Sequence, residues 1–111
     1  MRTQKDREAY RLYRLAGGLL DVYGGAKELE RAKEAAQEKA CRGIEGTKQR
    51  KACADAIEKN IINRQKWDFQ SLSRATGLAM SEREFCRRKK LYAEELVLKV
   101  GVIVGKKCDT M

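Results

Sequence analysis

The sequence contains no histidine and no proline, a single tryptophan, and only 6% aromatic residues. Each shortage excludes something. Without histidine the chain lacks the commonest general base and a common zinc ligand. Without proline nothing breaks a helix by ring clash or by a missing N–H donor, so helices can run long. Aromatics this scarce offer little for bases to stack on, which argues against single-strand or RNA binding. No stretch approaches the roughly twenty apolar residues of a membrane-spanning helix, and the first residues are charged from Arg2 to Arg14, unlike a secretory signal. The glycine pairs Gly17-Gly18 and Gly24-Gly25 follow a helical pattern, not a strand, so they form no phosphate-cradling loop. The four cysteines, Cys41, Cys53, Cys86 and Cys108, include no Cys-x-x-Cys pair, and a zinc site would need four scattered thiolates. The expectation is a cytoplasmic protein with reduced thiols, no metal, no cofactor, no membrane partner and no enzymatic activity.

Charge is abundant. Charged residues make up 37% of the chain, the formal net charge is +9 and the pI is near 9.6, which favours a polyanionic partner, nucleic acid first. Residues 1–41 hold nine Lys/Arg against seven Asp/Glu, residues 42–66 seven against three, residues 67–80 one of each, and residues 81–111 eight against five. The positive excess therefore lies in the C-terminal two-thirds. With Ala, Glu, Lys, Arg and Leu prominent, the chain reads as a small all-α domain of four or five helices with a thin core. A second subunit completing that core, as a homodimer, is compatible with this composition.

Along the chain, Thr3 reads as an N-cap, and Ala9, Leu12, Tyr13, Ala16, Leu19, Leu20 and Tyr23 repeat at helical spacing up to Gly24-Gly25. Gly17-Gly18 within this helix implies either a kink or a close crossing of another helix. Residues 26–41 have strong helix propensity but only a narrow stripe, Leu29, Ala32, Ala36 and Ala40, which can pack closely but buries little, and they read as an exposed helix held by ion pairs ahead of the alternative, a dimer surface. Thr47 is a candidate cap for a third helix through about Arg64, with Cys53, Ile57 and Ile61 inward. Lys48, Arg50 and Lys51 crowd its first turn, where the helix dipole disfavours cations and a phosphate would relieve them.

The stretch 67–101 carries the functional signal. Trp67, Phe69, Leu72 and Ala75 mark a short buried-faced helix with Asp68 as cap and Thr76-Gly77 as its end. Ser81 and Glu84 then form a capping box, with Met80 and Phe85 placed for a hydrophobic staple. The last helix has a mostly apolar side at Phe85, Lys89, Tyr92, Leu96 and Val100, and a basic stripe at Arg83, Arg87 and Lys90, widened by Arg88 and Lys89. Cys86, between Phe85 and the cations, reads as a partly buried structural thiol. Gly101 sits where the helix should stop, and Val102-Ile103-Val104 reads as an edge strand or extended tail. A helix packed on one face and presenting arginine on another is what major-groove reading requires.

Residues 80–101, MSEREFCRRKKLYAEELVLKVG, resemble the C-terminal helix of phage transcriptional regulators of the ArpU/RinA type, at Met80, Ser81, Arg83, Phe85, Arg87, Lys89 or Lys90, Ala93, Leu96 and Gly101. The resemblance covers about a fifth of the chain. It implies a helix-turn-helix acting on double-stranded phage promoter DNA, with Ser81, Arg83, Arg87 and Lys90 as the reading residues. If the chain binds duplex DNA, Arg83 and Arg87 are expected to reach base edges, and Lys90, Arg88 and the basic turn with Lys48, Arg50 and Lys51 to hold phosphates. The alternative is a small phage-encoded module that binds a host protein, such as the transcription machinery or another enzyme that it inhibits.

Overall fold

The computed structural model describes residues 4–23, 27–63 and 66–109. These form five helices in chain order: α1 (Gln4–Tyr23), α2 (Lys27–Ala40), α3 (Thr47–Ile62), α4 (Phe69–Thr76) and α5 (Glu82–Asp109). There is no strand among the described residues, so the fold is all-α as expected. Thr3 and Gly24-Gly25 lie outside the described residues.

One buried cluster draws on every helix. It includes Ala16 and Leu20 of α1, Leu29, Ala32, Ala36 and Ala40 of α2, Cys53, Ile57 and Ile61 of α3, Leu72 of α4, and Phe85, Tyr92, Ala93 and Leu96 of α5. α5 is the spine of this arrangement: it packs chiefly along α2, and also against α1 and α3. The alanine stripe of α2 explains the closeness of that pairing. Its side chains add almost no bulk between the two backbones, so Ala36 and Ala40 are fully buried. The expectation of an exposed α2 is therefore corrected. A stripe that buries little area by itself becomes an interface when the facing helix supplies the large residues.

The glycine pair in α1 resolves as a crossing point. α1 runs unbroken through Gly17 and Gly18, and a Cβ on Gly17 would lie 2.8 Å from the Ile61 carbonyl oxygen of α3, whereas one on Gly18 would meet nothing. Only the first glycine is needed for close approach.

Three local expectations are corrected. Thr47 is the first residue of α3 and Gly46 is its N-cap, with no side-chain cap bond. Ala75 is exposed and does not continue the buried side of α4. Gly101 does not stop α5, and residues 102–104 are helical, because α5 continues to Asp109.

Candidate nucleic-acid interface

The corner between α4 and α5 is built from local rules that the sequence states clearly. Asp68 Oδ1 accepts the Ser71 N–H at 2.8 Å and caps α4. The N–H of Gly77 donates to Ser73 O at 3.0 Å, and Gly77 adopts φ 75°, a left-handed conformation that ends the helix at small cost only for glycine. Ser81 Oγ accepts the Glu84 N–H at 3.2 Å and starts α5. The other half of the capping box is replaced by ion pairing: the Glu84 carboxylate turns to Arg87 and Arg88. The rings of Phe69 and Phe85 lie 5.6 Å apart and tie α4 to α5 through their side chains.

A long-range clamp holds the turn. Gln49, from the first turn of α3, donates through Nε2 to Gly77 O at 3.1 Å and accepts through Oε1 from Ala79 N–H at 3.0 Å. One amide thus satisfies two backbone groups of the connection between α4 and α5. No periodicity marks Gln49 for this task; its role exists only once α3 lies beside the turn.

The structure separates the expected interface residues into two groups. Ser81, Arg83, Arg87, Lys90, Lys48, Arg50 and Lys51 are exposed. Arg83, Arg87 and Lys90 share the outer side of α5, opposite Phe85, Lys89 and Tyr92, which are buried. Arg87 is held by Glu84, with Nη2 2.6 Å and Nε 3.3 Å from the two carboxylate oxygens. That pairing keeps the Glu84 carboxyl below the usual carboxylate range, and Arg88 adds to the effect.

Arg88 departs from its expected role. Only 8% of it is exposed, and its Nη1 donates to Ala40 O at 2.8 Å and Arg42 O at 2.9 Å. Its Nε lies 2.9 Å from Glu84 Oε1, off the hydrogen-bonding direction. Arg88 therefore satisfies the carbonyls at the end of α2 through its Nη1. Lys89 is buried too, with Nζ 3.9 Å from the centroid of the Tyr13 ring. It belongs to the packed side of α5 and does not widen the exposed stripe.

Two cations that sequence reasoning missed join the stripe. Lys39, near the end of α2 and paired with Glu95 at 3.3 Å, and Arg42, two residues beyond the helix, line a cavity of about 240 Å³ together with Arg87, Arg88 and Leu91. Their separation in sequence from α5 hides them; the α2–α5 packing brings them beside it. The Lys48–Lys51 turn has different surroundings. Thr47, Arg50 and Lys51 share a cleft of about 480 Å³ with Glu34, Glu38, Cys41 and Asp55, so acidic groups offset the cations there.

Trp67 packs half-buried against the core, flanked by Lys59 and Lys66 with their Nζ atoms 5.4 and 5.5 Å from the ring centroid. Cys86 is exposed, not partly buried as its neighbours imply. Among the described residues no group of His, Cys, Asp and Glu is arranged to hold a metal, and no helix is long and apolar enough to cross a membrane. No family model matches the chain, and neither a curated protein nor a solved structure matches it.

Proposed function

We propose that the protein binds double-stranded DNA through the outer side of α5, as a transcriptional regulator of a phage or mobile element. The observation that supports this most is the rigid presentation of Arg83, Arg87 and Lys90 on a helix whose opposite side is anchored in the core. In this reading Arg83 and Arg87 reach base edges in the major groove, where a bidentate arginine contact contributes about 1–3 kcal/mol of discrimination. Lys90, with Lys39 and Arg42 across the α2–α5 groove, neutralises backbone phosphates and sets the register. Glu84 pairs with Arg87 in the free protein and gives it up to a guanine edge. Arg50 and Lys51 take a lesser part, because they share their cleft with Glu34, Glu38 and Asp55, and Lys48 stands exposed beside them. The likeness of residues 80–101 to phage regulators of the ArpU/RinA type points to the same class of partner.

Fluorescence anisotropy on random-sequence duplex, at several salt concentrations and beside a single strand of equal length, tests the reading. Duplex binding that falls with a log–log salt slope worth several phosphates supports it. No duplex binding at low salt removes it, and the partner is then sought among host proteins.

A further inference from the structure

The cavity at the α2–α5 corner is walled almost wholly by cations. Lys39, Arg42, Arg87 and Arg88 line it, Leu91 is its one apolar wall, and no carboxylate lines it among the described residues. Two carboxylates pair with these cations without lining the cavity. Glu84 lies 2.6 Å from Arg87 and 2.9 Å from Arg88, and Glu95 lies 3.3 Å from Lys39 while also pairing with Lys99 at 3.8 Å. Arg42 is exposed and makes no ion pair among the described residues. Four cations against two carboxylates leave an excess of two positive charges. The end of α2 should repel an anion, because its last carbonyls carry the negative pole of the helix. Arg88 removes that obstacle, since its Nη1 covers Ala40 O at 2.8 Å and Arg42 O at 2.9 Å. The Nε of the same guanidinium is enclosed and has no aligned acceptor among the described residues, so one donor of this wall is unspent.

We infer that this corner is a binding pocket for one dianionic phosphate group, carried by a small phosphate monoester. At about 240 Å³ the cavity lies below the roughly 300–1,000 Å³ of sites that enclose drug-sized ligands, so it takes one compact group. The excess of two charges suits a monoester, which carries about −1.5 to −2 at neutral pH, better than a backbone phosphodiester with its single charge. Guanidinium forks at Arg42 and Arg87 can each engage two phosphate oxygens, and Lys39 adds a compact positive charge. Leu91 keeps water from one side, where the lower dielectric strengthens the attraction. The walls come from two helices remote in sequence, and the α2–α5 packing holds them together without a ligand. The pocket draws on Lys39, Arg42 and Arg87, which the duplex reading also uses, but it stands without that reading.

Titrating the full-length, isotope-labelled chain with inorganic phosphate at about pH 8 and constant ionic strength, followed by amide NMR shifts, tests the inference. The expected result is saturation at a single site, with the shifts centred on Lys39, Arg42, Arg87 and Leu91 and a Kd on the order of 1 mM or tighter. Dimethyl phosphate, a monoanionic diester, should bind about tenfold more weakly, because half the charge halves the attraction. Arg42→Ala should weaken phosphate binding about tenfold or more, and its exposed position leaves the fold intact. Arg74→Ala, which removes an equal charge from the exposed surface of α4 outside the cavity, should change the affinity by less than about twofold. Three results overturn the inference. Shifts that never saturate, or that centre elsewhere, remove the site. Equal affinity for dimethyl phosphate removes the dianion and returns the corner to a backbone phosphodiester. Equal losses in Arg42→Ala and Arg74→Ala reduce the effect to net charge. The titration contains no DNA, so its failure and the failure of duplex binding are separate results.

Discussion

Residues 87–90 are four consecutive cations, and the two sides of α5 use them in opposite ways. Arg87 and Lys90 face solvent, whereas Arg88 and Lys89 face inward. On the outer side an exposed guanidinium is held by a neighbouring carboxylate. On the inner side another guanidinium spans two helix-end carbonyls, and an ammonium sits over a tyrosine ring. Side chains one position apart point about 100° apart around a helix, so a basic run cannot be a single patch. Net charge therefore overstates the cationic surface that the protein presents, because part of it is structural.

The comparison breaks most sharply under paired substitution. Arg83→Ala with Arg87→Ala should weaken binding to the preferred duplex by about 1–3 kcal/mol for each arginine that makes a base contact. Because both side chains are exposed, thermal stability should change by no more than about 1 kcal/mol. Anisotropy and a thermal melt on the same samples check both halves. If affinity and sequence preference stay at the wild-type level, α5 is not the reading element.

Arg88→Ala is the counterpart on the inner side. It strands the Ala40 and Arg42 carbonyls and opens a gap between α2 and α5, so a loss of about 2–4 kcal/mol is expected in urea unfolding. Any loss of DNA affinity should be recovered wherever the variant is fully folded. A stable Arg88→Ala chain with selectively weakened, less salt-dependent binding would return Arg88 to the phosphate-holding role.

The helix caps at Asp68 and Ser81, the stop at Gly77 and the inward set Phe85, Tyr92 and Leu96 were all legible in the sequence, because each depends on neighbours within one or two turns. The close approach at Gly17 was half legible: a glycine pair in a helix announces a special site, but only the crossing of α3 selects between kink and contact. What escaped depends on partners remote in sequence. Gln49 acquires its role from a turn some thirty residues away, and Arg88 from the end of α2. Gly101 misled because a glycine is tolerated within a helix as well as beyond its end, at about 1 kcal/mol. Of the candidate interface, the stripe on α5 was visible beforehand, while Lys39 and Arg42 needed the fold to bring them there.

The α1–α3 crossing supplies a smaller contrast between adjacent positions. Gly17→Ala should destabilise by about 1–3 kcal/mol, because its methyl group meets the backbone oxygen of Ile61, which cannot move aside as a side chain can. Gly18→Ala has open space and should stabilise by about 0.5–1 kcal/mol through helix propensity. Equal effects at the two sites, read as thermal midpoints, would mean that α1 does not cross α3 at Gly17.

Alkaline pH probes the inner side of α5 once more, with a smaller effect. Tyr92 is fully buried, and its hydroxyl donates to Glu58 Oε1 at 2.8 Å. Glu58 also accepts from Gln37 at 2.9 Å and pairs with Lys33 at 3.8 Å, so the phenol helps join α2, α3 and α5. Burial, and then the Glu58 charge, disfavour the phenolate and raise the Tyr92 pKa in the folded state. In the unfolded chain a tyrosine ionises near pH 10. Below that pH both states hold the proton, and the contribution of Tyr92 is complete. Above it only the unfolded chain releases the proton, so stability falls by about 1.4 kcal/mol per pH unit until the folded phenol also ionises. Tyr92→Phe should cost about 1 kcal/mol at pH 8 through the lost hydrogen bond. It should also lack this share of the alkaline slope, so the wild-type advantage in urea unfolding should shrink and reverse as pH passes 10. A difference between the two chains that stays constant from pH 8 to pH 11 would mean that the Tyr92 hydroxyl is open to solvent and ionises as it does in the unfolded chain.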